Sequence, residues 1–205
     1  MLNKLVEQII KSLARIIRIN ISPSTVRQTL NAEYQEGIND MEVKLDINLK
    51  GDPQKLDFLE TYTFDNIKGM SDELVEGMRK AMSQGLLNNE SVTQIKRRVN
   101  DVMKVGQNRA KMIARTETAR VRNAGRYDAA IDANNEGIET RKWLLITYDD
   151  RTSEVSKKMG AKYGSRDKAI PMNENFRIEY RGKIYEGPYP PFMPNDRDKL
   201  MIEVI

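Results

Sequence analysis

Apolar positions recur at helical spacing over most of the first two-thirds of the chain. This pattern predicts an amphipathic helix over residues 2–19, a second helix over 25–42 after Ser22-Pro23, and a third over 54–69. The segment 41–50, MEVKLDINLK, alternates as a strand does, and the frayed end of a helix fits it equally well.

Capping residues then divide the chain into further predicted helices. Ser71 is a good N-cap, and Gly85 lies where the helix that follows would end. Ser91 and Gln94 form a capping box, which predicts a helix that ends at Gly106. A long helix follows over 108–134 and is closed by a glycine at 137.

The pattern changes after residue 137. RKWLLITYDD is typical of a strand that ends in a turn, 153–159 predicts a short helix, and FRIEYRGKIYEG predicts a hairpin with Arg181-Gly182 at its tip. YPPFMPNDRD is a proline-rich loop, and KLMIEVI predicts a last strand. The predicted fold class is α+β, with a mainly helical N-terminal two-thirds followed by a small β-rich C-terminal domain.

We therefore expect three regions along the chain. Residues 1–53 form an N-terminal helical docking region, residues 54–137 a helical domain that ends in the long helix, and residues 138–205 the β-rich domain with its proline loop. The basic amphipathic start could lie on a membrane surface, but a helix on a core or on a partner protein is favoured.

Composition excludes several kinds of chemistry. The 205 residues include no cysteine and no histidine, which removes disulfides, thiolate and imidazole metal sites, and histidine-based acid–base catalysis. No cofactor is expected. The chain has 34 Lys+Arg against 30 Asp+Glu, a net charge of +4 that by itself indicates little about partners. The longest apolar runs are a few residues, so we expect no membrane span, and charges within the N-terminal segment argue against a signal peptide.

The stretch IARTETARVRNAGR, residues 113–126, is rich in arginine and predicted to be helical. On a helical wheel, Lys111, Arg115, Arg122 and Arg126 fall on one side and form what we call the basic ridge. The preceding helix adds Lys96, Arg97 and Arg98. These seven residues are candidate nucleic-acid contacts, and an ordinary solvated helix face is the alternative. No aromatic residue interleaves the arginines, so any contact would be to the phosphate backbone.

Glu117 falls instead within the apolar side of the same helix. A carboxylate there is costly unless it is paired, and Arg109 and Arg120 flank that side. A structural ion pair that fixes how the helix docks is favoured over a catalytic role.

The same stretch resembles the "ARTE" helix of the phage Mu F-like head morphogenesis proteins, the minor capsid proteins of tailed viruses. Three other segments resemble this family in the same order: KGMSDELVEGMRKAMSQGLLNNESVTQIKRRV, KWLLITYDDRTSEV and YPPFMPNDRDKL. The resemblance covers about residues 56–205.

The chain departs from the family at two places. Members often carry Cys or His after the D-x-R segment, which is Asp149-Asp150-Arg151 in this chain, and again in the closing, proline-rich loop. This chain has Ser153 and Ser156 at the first place, and Met193 and Asp196 at the second. A metal or thiol site of relatives is therefore not expected here. The prolines of the loop stiffen it, and we expect Arg197 to pair with Asp149 or Asp150.

The resemblance implies a structural, non-enzymatic minor head protein. Such a protein lies in the virion, inside the head near the portal, after assembly in the host cytoplasm, and assists head morphogenesis and DNA packaging or ejection. The implied partners are the portal protein, the major capsid protein, or both, and packaged double-stranded DNA bound without sequence specificity. We expect several copies and no membrane partner.

Two alternatives from other classes remain open at this point. One is a Mg²⁺-dependent nuclease whose oxygen ligands would come from Asp149, Asp150, Glu154 and Asp196. The other is a non-specific DNA-binding protein of a cell.

Overall fold

The computed structural model describes residues 23–45, 49, 52–88, 90 and 92–205. The helix predicted over 2–19 therefore lies outside the described residues. Four α-helices are described: α1 (Pro23–Leu45), α2 (Pro53–Leu87), α3 (Val92–Asn135) and α4 (Glu154–Tyr163). Five strands follow α3: β1 (Thr140–Leu145), β2 (Ile170–Pro171), β3 (Phe176–Tyr180), β4 (Lys183–Gly187) and β5 (Lys199–Val204). A 3₁₀ turn, Arg166–Lys168, precedes β2. The α+β class predicted from the sequence is confirmed.

Two helices replace the four predicted over residues 54–134. α2 runs through Gly69 and Ser71, and the 44 residues of α3 run through Gly106, which was predicted to end a helix. A single helical glycine costs only about 1 kcal/mol relative to alanine, so hydrogen bonds on both sides outweigh it. A Cβ at Gly106 would lie 2.5 Å from Cδ1 of Leu74, so the glycine permits the close approach of the α2 segment.

The segment 41–50 had two readings, and its first five residues are helical, since α1 extends to Leu45. The alternation of polar and apolar residues there is also compatible with a helix, in which Met41 is buried, whereas Val43 and Lys44 are exposed. Packing therefore decided an ambiguity that the local sequence did not resolve.

The described residues group into two compact units, which differ from the three predicted regions. One unit contains residues 60–114, and the other contains residues 28–59 and 115–205. The predicted boundaries at 53 and 137 do not coincide with these units, because α1 packs on the second half of α3. A Cβ at Gly37 would lie 2.2 Å from the Arg122 carbonyl oxygen, and one at Gly125 would lie 2.3 Å from the Tyr34 carbonyl oxygen.

The unit of residues 60–114 is a hairpin of two helices. Gly77 of α2 lies against Val102 of α3, with 3.1 Å between a Cβ added at Gly77 and the valine Cγ1. Met78 is fully buried in this contact region. No helix among the described residues is long and apolar enough to cross a membrane.

The second unit contains the β-strands. β1 is the centre of an antiparallel sheet of order β2-β1-β5, and β3 and β4 form a separate hairpin. Arg181 and Gly182 form the tip of that hairpin with φ of 52° and 71°. Positive φ at both central residues is typical of a type I′ turn, so the predicted hairpin and its tip are confirmed. β2 was not predicted, because two residues are too few for an alternating pattern.

The short helix α4 begins where the sequence predicted. The Ser153 side chain accepts a hydrogen bond from the Ser156 backbone N–H at 3.0 Å, which caps the helix. Its inner face contributes Val155, Met159 and Tyr163 to the core. The central residues of this core are Leu144, Phe176, Leu200 and Ile202.

Candidate functional site

The second half of α3 presents a row of buried polar side chains to the rest of its unit. Thr116, Glu117, Asn123 and Asp128 are all at most 9% exposed. Buried polar groups are destabilising unless they form hydrogen bonds, so their partners show what this part of the helix does.

Asn123 joins the helix to both the proline loop and β5. Its Nδ2 donates to the carbonyl oxygens of Pro190, at 3.1 Å, and Asp198, at 3.3 Å. Its Oδ1 accepts a hydrogen bond from the Leu200 backbone N–H at 3.0 Å. The Asn123 side-chain amide thus makes hydrogen bonds with backbone groups at the start of the outer edge of β5, as a neighbouring strand would. Further along that edge, the Lys44 ammonium group donates to the Ile202 carbonyl oxygen.

The role of Asn123 was not predicted from the sequence. A signal was present, because asparagine is unfavourable within a helix unless its side chain has a specific partner. At about 100° per residue, Asn123 falls between the basic ridge and the apolar side of α3, a position that by itself predicts neither burial nor exposure.

Thr116 and Glu117, the last two residues of the ARTE stretch (114–117), also have polar partners. The Thr116 hydroxyl oxygen accepts a hydrogen bond from the Asn195 backbone N–H at 3.0 Å, which ties the proline loop to α3 a second time. Arg120 Nε donates to Glu117 Oε2 at 3.0 Å. Arg109, the other predicted partner of Glu117, pairs with Glu73 instead.

Asp128 connects α3 to α1. The Tyr34 hydroxyl donates to Asp128 Oδ2 at 2.5 Å and accepts a hydrogen bond from the Asp52 backbone N–H at 2.8 Å. Burial, together with the Asp128 carboxylate, raises the pKa of Tyr34 well above its usual value, so the phenol stays protonated and keeps this hydrogen bond.

The D-x-R segment and the closing loop are joined by one ion pair. Arg197 donates from both terminal nitrogens to Asp149, at 2.7 and 2.6 Å. The bidentate guanidinium contact lowers the pKa of Asp149. Of the two aspartates predicted to pair with Arg197, Asp149 forms the pair, while Asp150 is exposed.

The four positions where relatives often carry Cys or His meet around one small cavity. It has a volume of about 160 Å³, and Ser153, Ser156, Met193 and Asp196 line it, together with Asp198. These side chains offer hydroxyls, carboxylates and a thioether, which do not match the thiolate and imidazole ligands of structural zinc sites. Among the described residues, no group of three or more Asp, Glu, His or Cys side chains is arranged to hold a metal ion.

The two aspartates at this cavity have different roles. Asp196 accepts hydrogen bonds from the backbone N–H groups of Phe192, at 2.8 Å, and Asp198, at 2.9 Å, and so shapes the loop. Asp198 is 4% exposed, and its Oδ2 has no hydrogen-bond partner among the described residues. Burial, and then the neighbouring Asp196 carboxylate, raise the pKa of Asp198 to about 7.

A buried lysine forms a second polar centre in this unit. Lys142 of β1 is fully buried, and its ammonium group donates to the carbonyl oxygens of Met172 and Pro188, each at 3.0 Å. It lies 4.8 Å from the centre of the Tyr127 ring and 5.2 Å from that of Phe176. Burial lowers the pKa of Lys142 to about 8. Lys142 was not predicted, since the alternation along β1 does not show whether the face with Lys142 or the face with Trp143 is the buried one.

The basic ridge predicted from the helical wheel is not one exposed surface. Arg122 lies 3.0 Å from Glu33 and 3.7 Å from Glu36 of α1, and Arg126 pairs with Asp40 of the same helix. These two arginines face an acidic helix, which corrects the expectation that all four face outward.

The remaining predicted nucleic-acid contacts differ in their surroundings. Arg98 makes a bidentate pair with Glu90, at 2.6 and 2.7 Å, whereas Arg97 and Arg115 are exposed. The side chains of Lys96 and Lys111 lie outside the described residues.

The acids proposed as nuclease ligands have separate partners. Glu154 accepts a hydrogen bond from Lys157 at 2.6 Å on the surface of α4. Asp149 is held by Arg197, Asp196 by backbone N–H groups of its own loop, and Asp150 is exposed. The arrangement is that of loop-shaping acids rather than of a shared oxygen-ligand site.

Comparisons with known proteins bear on the segment that contains these contacts. The family model described as Phage Mu protein F like protein matches residues 76–197. The minor head protein GP7 of Bacillus phage SPP1 is 33% identical over 110 residues, which cover 54% of this chain and 33% of that protein. The NAD(+)--arginine ADP-ribosyltransferase EFV of Enterococcus faecalis is 27% identical over 117 residues, which cover 57% of this chain and 22% of that protein.

The aligned part of the chain thus spans about a third of the length of the first relative and less than a quarter of the second. A search of solved structures gave no significant match. The family match covers more than half of the chain and includes Thr116, Glu117, Asn123, the D-x-R segment and Arg197. The chain therefore belongs to the Phage Mu protein F like family.

Proposed function

We propose that this chain is a structural minor head protein of a tailed phage. It lies inside the head near the portal, assists head morphogenesis and DNA packaging or ejection, and does not act as an enzyme. The relatedness to a minor head protein of phage SPP1 supports this role. The similarity to the ADP-ribosyltransferase covers 22% of that enzyme and gives no basis for assigning its activity to this chain.

One structural observation carries the proposal. The motif of α3 that the family resemblance rests on uses its polar side chains to hold other parts of the same unit together. Thr116 and Asn123 bind the proline loop and β5, and Asn123 alone contacts three backbone groups. A motif with this arrangement keeps a small domain rigid, which suits a component of an assembled particle.

Assembly in the head implies protein partners, which we propose to be the portal protein, the major capsid protein, or both. Non-specific contact with packaged double-stranded DNA is a second proposed role. If α3 makes that contact, exposed Arg97 and Arg115 are the described residues best placed for it, because Arg98, Arg122 and Arg126 already have acidic partners.

Quantitative mass spectrometry of purified phage particles tests the main proposal. We expect this chain at a low and reproducible ratio to the shell protein after the particles are washed. Crosslinking within the particle should then join it to the portal or to the shell. Its absence from particles at every stage of assembly would refute the role as a head component.

Salt-dependent DNA binding tests the second role with a matched pair of variants. Arg115→Ala removes an exposed charge and should reduce the slope of log K against log salt by about one. Arg122→Ala removes a charge of the same kind that pairs with α1, and should leave the slope unchanged while it lowers stability. Equal slopes for Arg115→Ala and the unmodified chain would remove Arg115 from the DNA contact.

A further inference from the structure

A groove runs between helix α4 and the outer edge of strand β3. Its volume is about 670 Å³, within the range of roughly 300–1,000 Å³ that is common for ligand clefts. The residues that line it are Lys158, Ala161, Lys162, Arg177, Ile178 and Glu179. None of the contacts described above, around α3 and the proline loop, uses this groove.

The wall formed by β3 is a strand edge. The backbone N–H of Arg177 donates to the Tyr163 hydroxyl at 3.1 Å, and its carbonyl oxygen accepts from the Lys162 ammonium group at 3.1 Å. Both groups therefore point away from β4. In an antiparallel pair the direction of the backbone groups alternates with each residue, so the N–H and C=O of Glu179 point the same way, into the groove.

The opposite wall is cationic. Lys158 and Lys162 are one turn apart on α4 and border the groove together. Arg177 is neutralised by Glu186 at 2.6 Å, and Glu179 is the acidic residue of the lining. The two lysines thus give the groove an excess of positive charge.

Ala161 of α4 and Ile178 of β3 add apolar surface to the lining of the groove. An open cleft with a strand edge on one side and lysines on the other fits an extended chain, because the strand edge offers backbone hydrogen bonds and the lysines offer positive charge.

We propose that this groove binds an extended acidic segment of a partner protein. The segment adds beside β3, its backbone pairs with the N–H and C=O of Glu179, and its carboxylates lie near Lys158 and Lys162. Addition of a strand to a sheet edge is a recurring mode of peptide recognition, in which the backbone supplies affinity and the flanking pockets supply specificity. The inference deepens the proposed function. It rests on that function only for the place of binding, which is the phage head.

Nuclear magnetic resonance titration of the full ¹⁵N-labelled chain tests the proposal with defined probes. The probes are a short capped peptide of alternating threonine and glutamate, the same peptide with glutamine in place of glutamate, and a DNA duplex. We expect the acidic peptide to shift the amide signal of Glu179 and its neighbours, and the neutral peptide to bind at least about threefold more weakly.

Two pairs of variants separate the strand edge from the charge. Glu179→Pro removes the N–H that faces the groove, and Ile184→Pro is its control, since Ile184 is paired with Glu179 in the hairpin and faces the opposite edge. Loss of one hydrogen bond should weaken binding roughly threefold to tenfold in Glu179→Pro only. Lys158→Glu should also weaken binding, whereas Lys183→Glu, the same charge change on β4, should have little effect.

The fluorescence of Trp143, the single tryptophan, reports whether each variant remains folded. The proposal is overturned if neither peptide shifts Glu179 in the folded chain, or if the duplex alone does so, which would assign the groove to DNA. Absence of the chain from phage particles would refute the proposed function and leave this binding result intact, so the two failures are distinguishable.

Discussion

Replacing Asp198 by asparagine should stabilise the unit that contains the β-strands at neutral and alkaline pH. Asp198 is buried at the small cavity beside Ser156, and its Oδ2 has no partner among the described residues. An asparagine has nearly the same shape, carries no charge, and can donate from its amide to the Asp196 carboxylate. The backbone hydrogen bonds of residue 198 to Asn123 and Asp196 do not depend on the side chain.

The sign follows from the raised pKa. The ordinary value is 3.8 and the folded value about 7, so between these values the folded chain holds a proton that the unfolded chain has released. Folding stability of the unmodified chain therefore falls as the pH rises from 3.8 to about 7 and is level above that range. The full span corresponds to about 4 kcal/mol at 1.36 kcal/mol per pH unit. Structural relaxation around a buried charge reduces such a value, so we expect about 2 kcal/mol.

Urea unfolding followed by the fluorescence of Trp143 measures this effect in the structural unit that contains Asp198. Trp143 lies in β1 opposite Met201 of β5, the strand that Asp198 precedes. The free energy of unfolding of Asp198→Asn should exceed that of the unmodified chain by about 2 kcal/mol at about pH 8, and the difference should largely vanish at about pH 4. Asp150→Asn is the control, since it makes the same change in charge at an exposed position.

Two results would refute the reasoning. A difference in stability that is the same at both pH values would show that the carboxyl group does not titrate in this range. An Asp198→Asn variant that is less stable than the unmodified chain at about pH 8 would show that the charged carboxylate stabilises the loop.

Three further substitutions test the other contacts of this unit. Asn123→Ala should cost about 2–4 kcal/mol in thermal or urea unfolding, because it leaves buried backbone groups unpaired, and hydrogen exchange of the Leu200 amide should become faster. Gly125→Ala should cost about 1–3 kcal/mol, since the added Cβ would lie 2.3 Å from the Tyr34 carbonyl oxygen, and a calorimetric melting temperature equal to that of the unmodified chain would contradict this contact. Lys142→Met should cost about 2 kcal/mol in urea unfolding through the loss of two hydrogen bonds to carbonyl oxygens, and an unchanged midpoint would show that these bonds contribute nothing net.

Elements with a strong local signal were predictable from the sequence. The hairpin of β3 and β4 was found because Arg181-Gly182 provides the residue types that a tight turn requires, and α4 because Ser153 is a capping residue at the right position. The α+β class followed from the change of hydrophobic period after residue 137. Each of these signals lies within a few residues of chain, so it does not depend on what packs against it.

Two of the helix ends predicted at glycines were wrong, whereas α2 ends near Gly85 and α3 ends near Gly137 as predicted. Gly69 and Gly106 look like terminators, yet α2 and α3 continue through them. A glycine is compatible with both a helix end and a close contact between helices, and only the neighbour decides which applies. For Gly106 that neighbour is Leu74, more than 30 residues earlier in the chain.

The sequence alone thus determined the secondary structure of the C-terminal part except for β2 and the 3₁₀ turn. It also determined the absence of cysteine and histidine chemistry, and the family resemblance that the family match then supported. The tertiary structure decided which charged residues form ion pairs within the fold. Arg122 and Arg126 lie on the polar side of a helical wheel, but the acidic residues of α1 cover them, whereas Asn123 is the central contact of the proline loop. Helical periodicity gives the direction of a side chain about its own axis, and its partner depends on elements distant in sequence, which a local pattern does not contain.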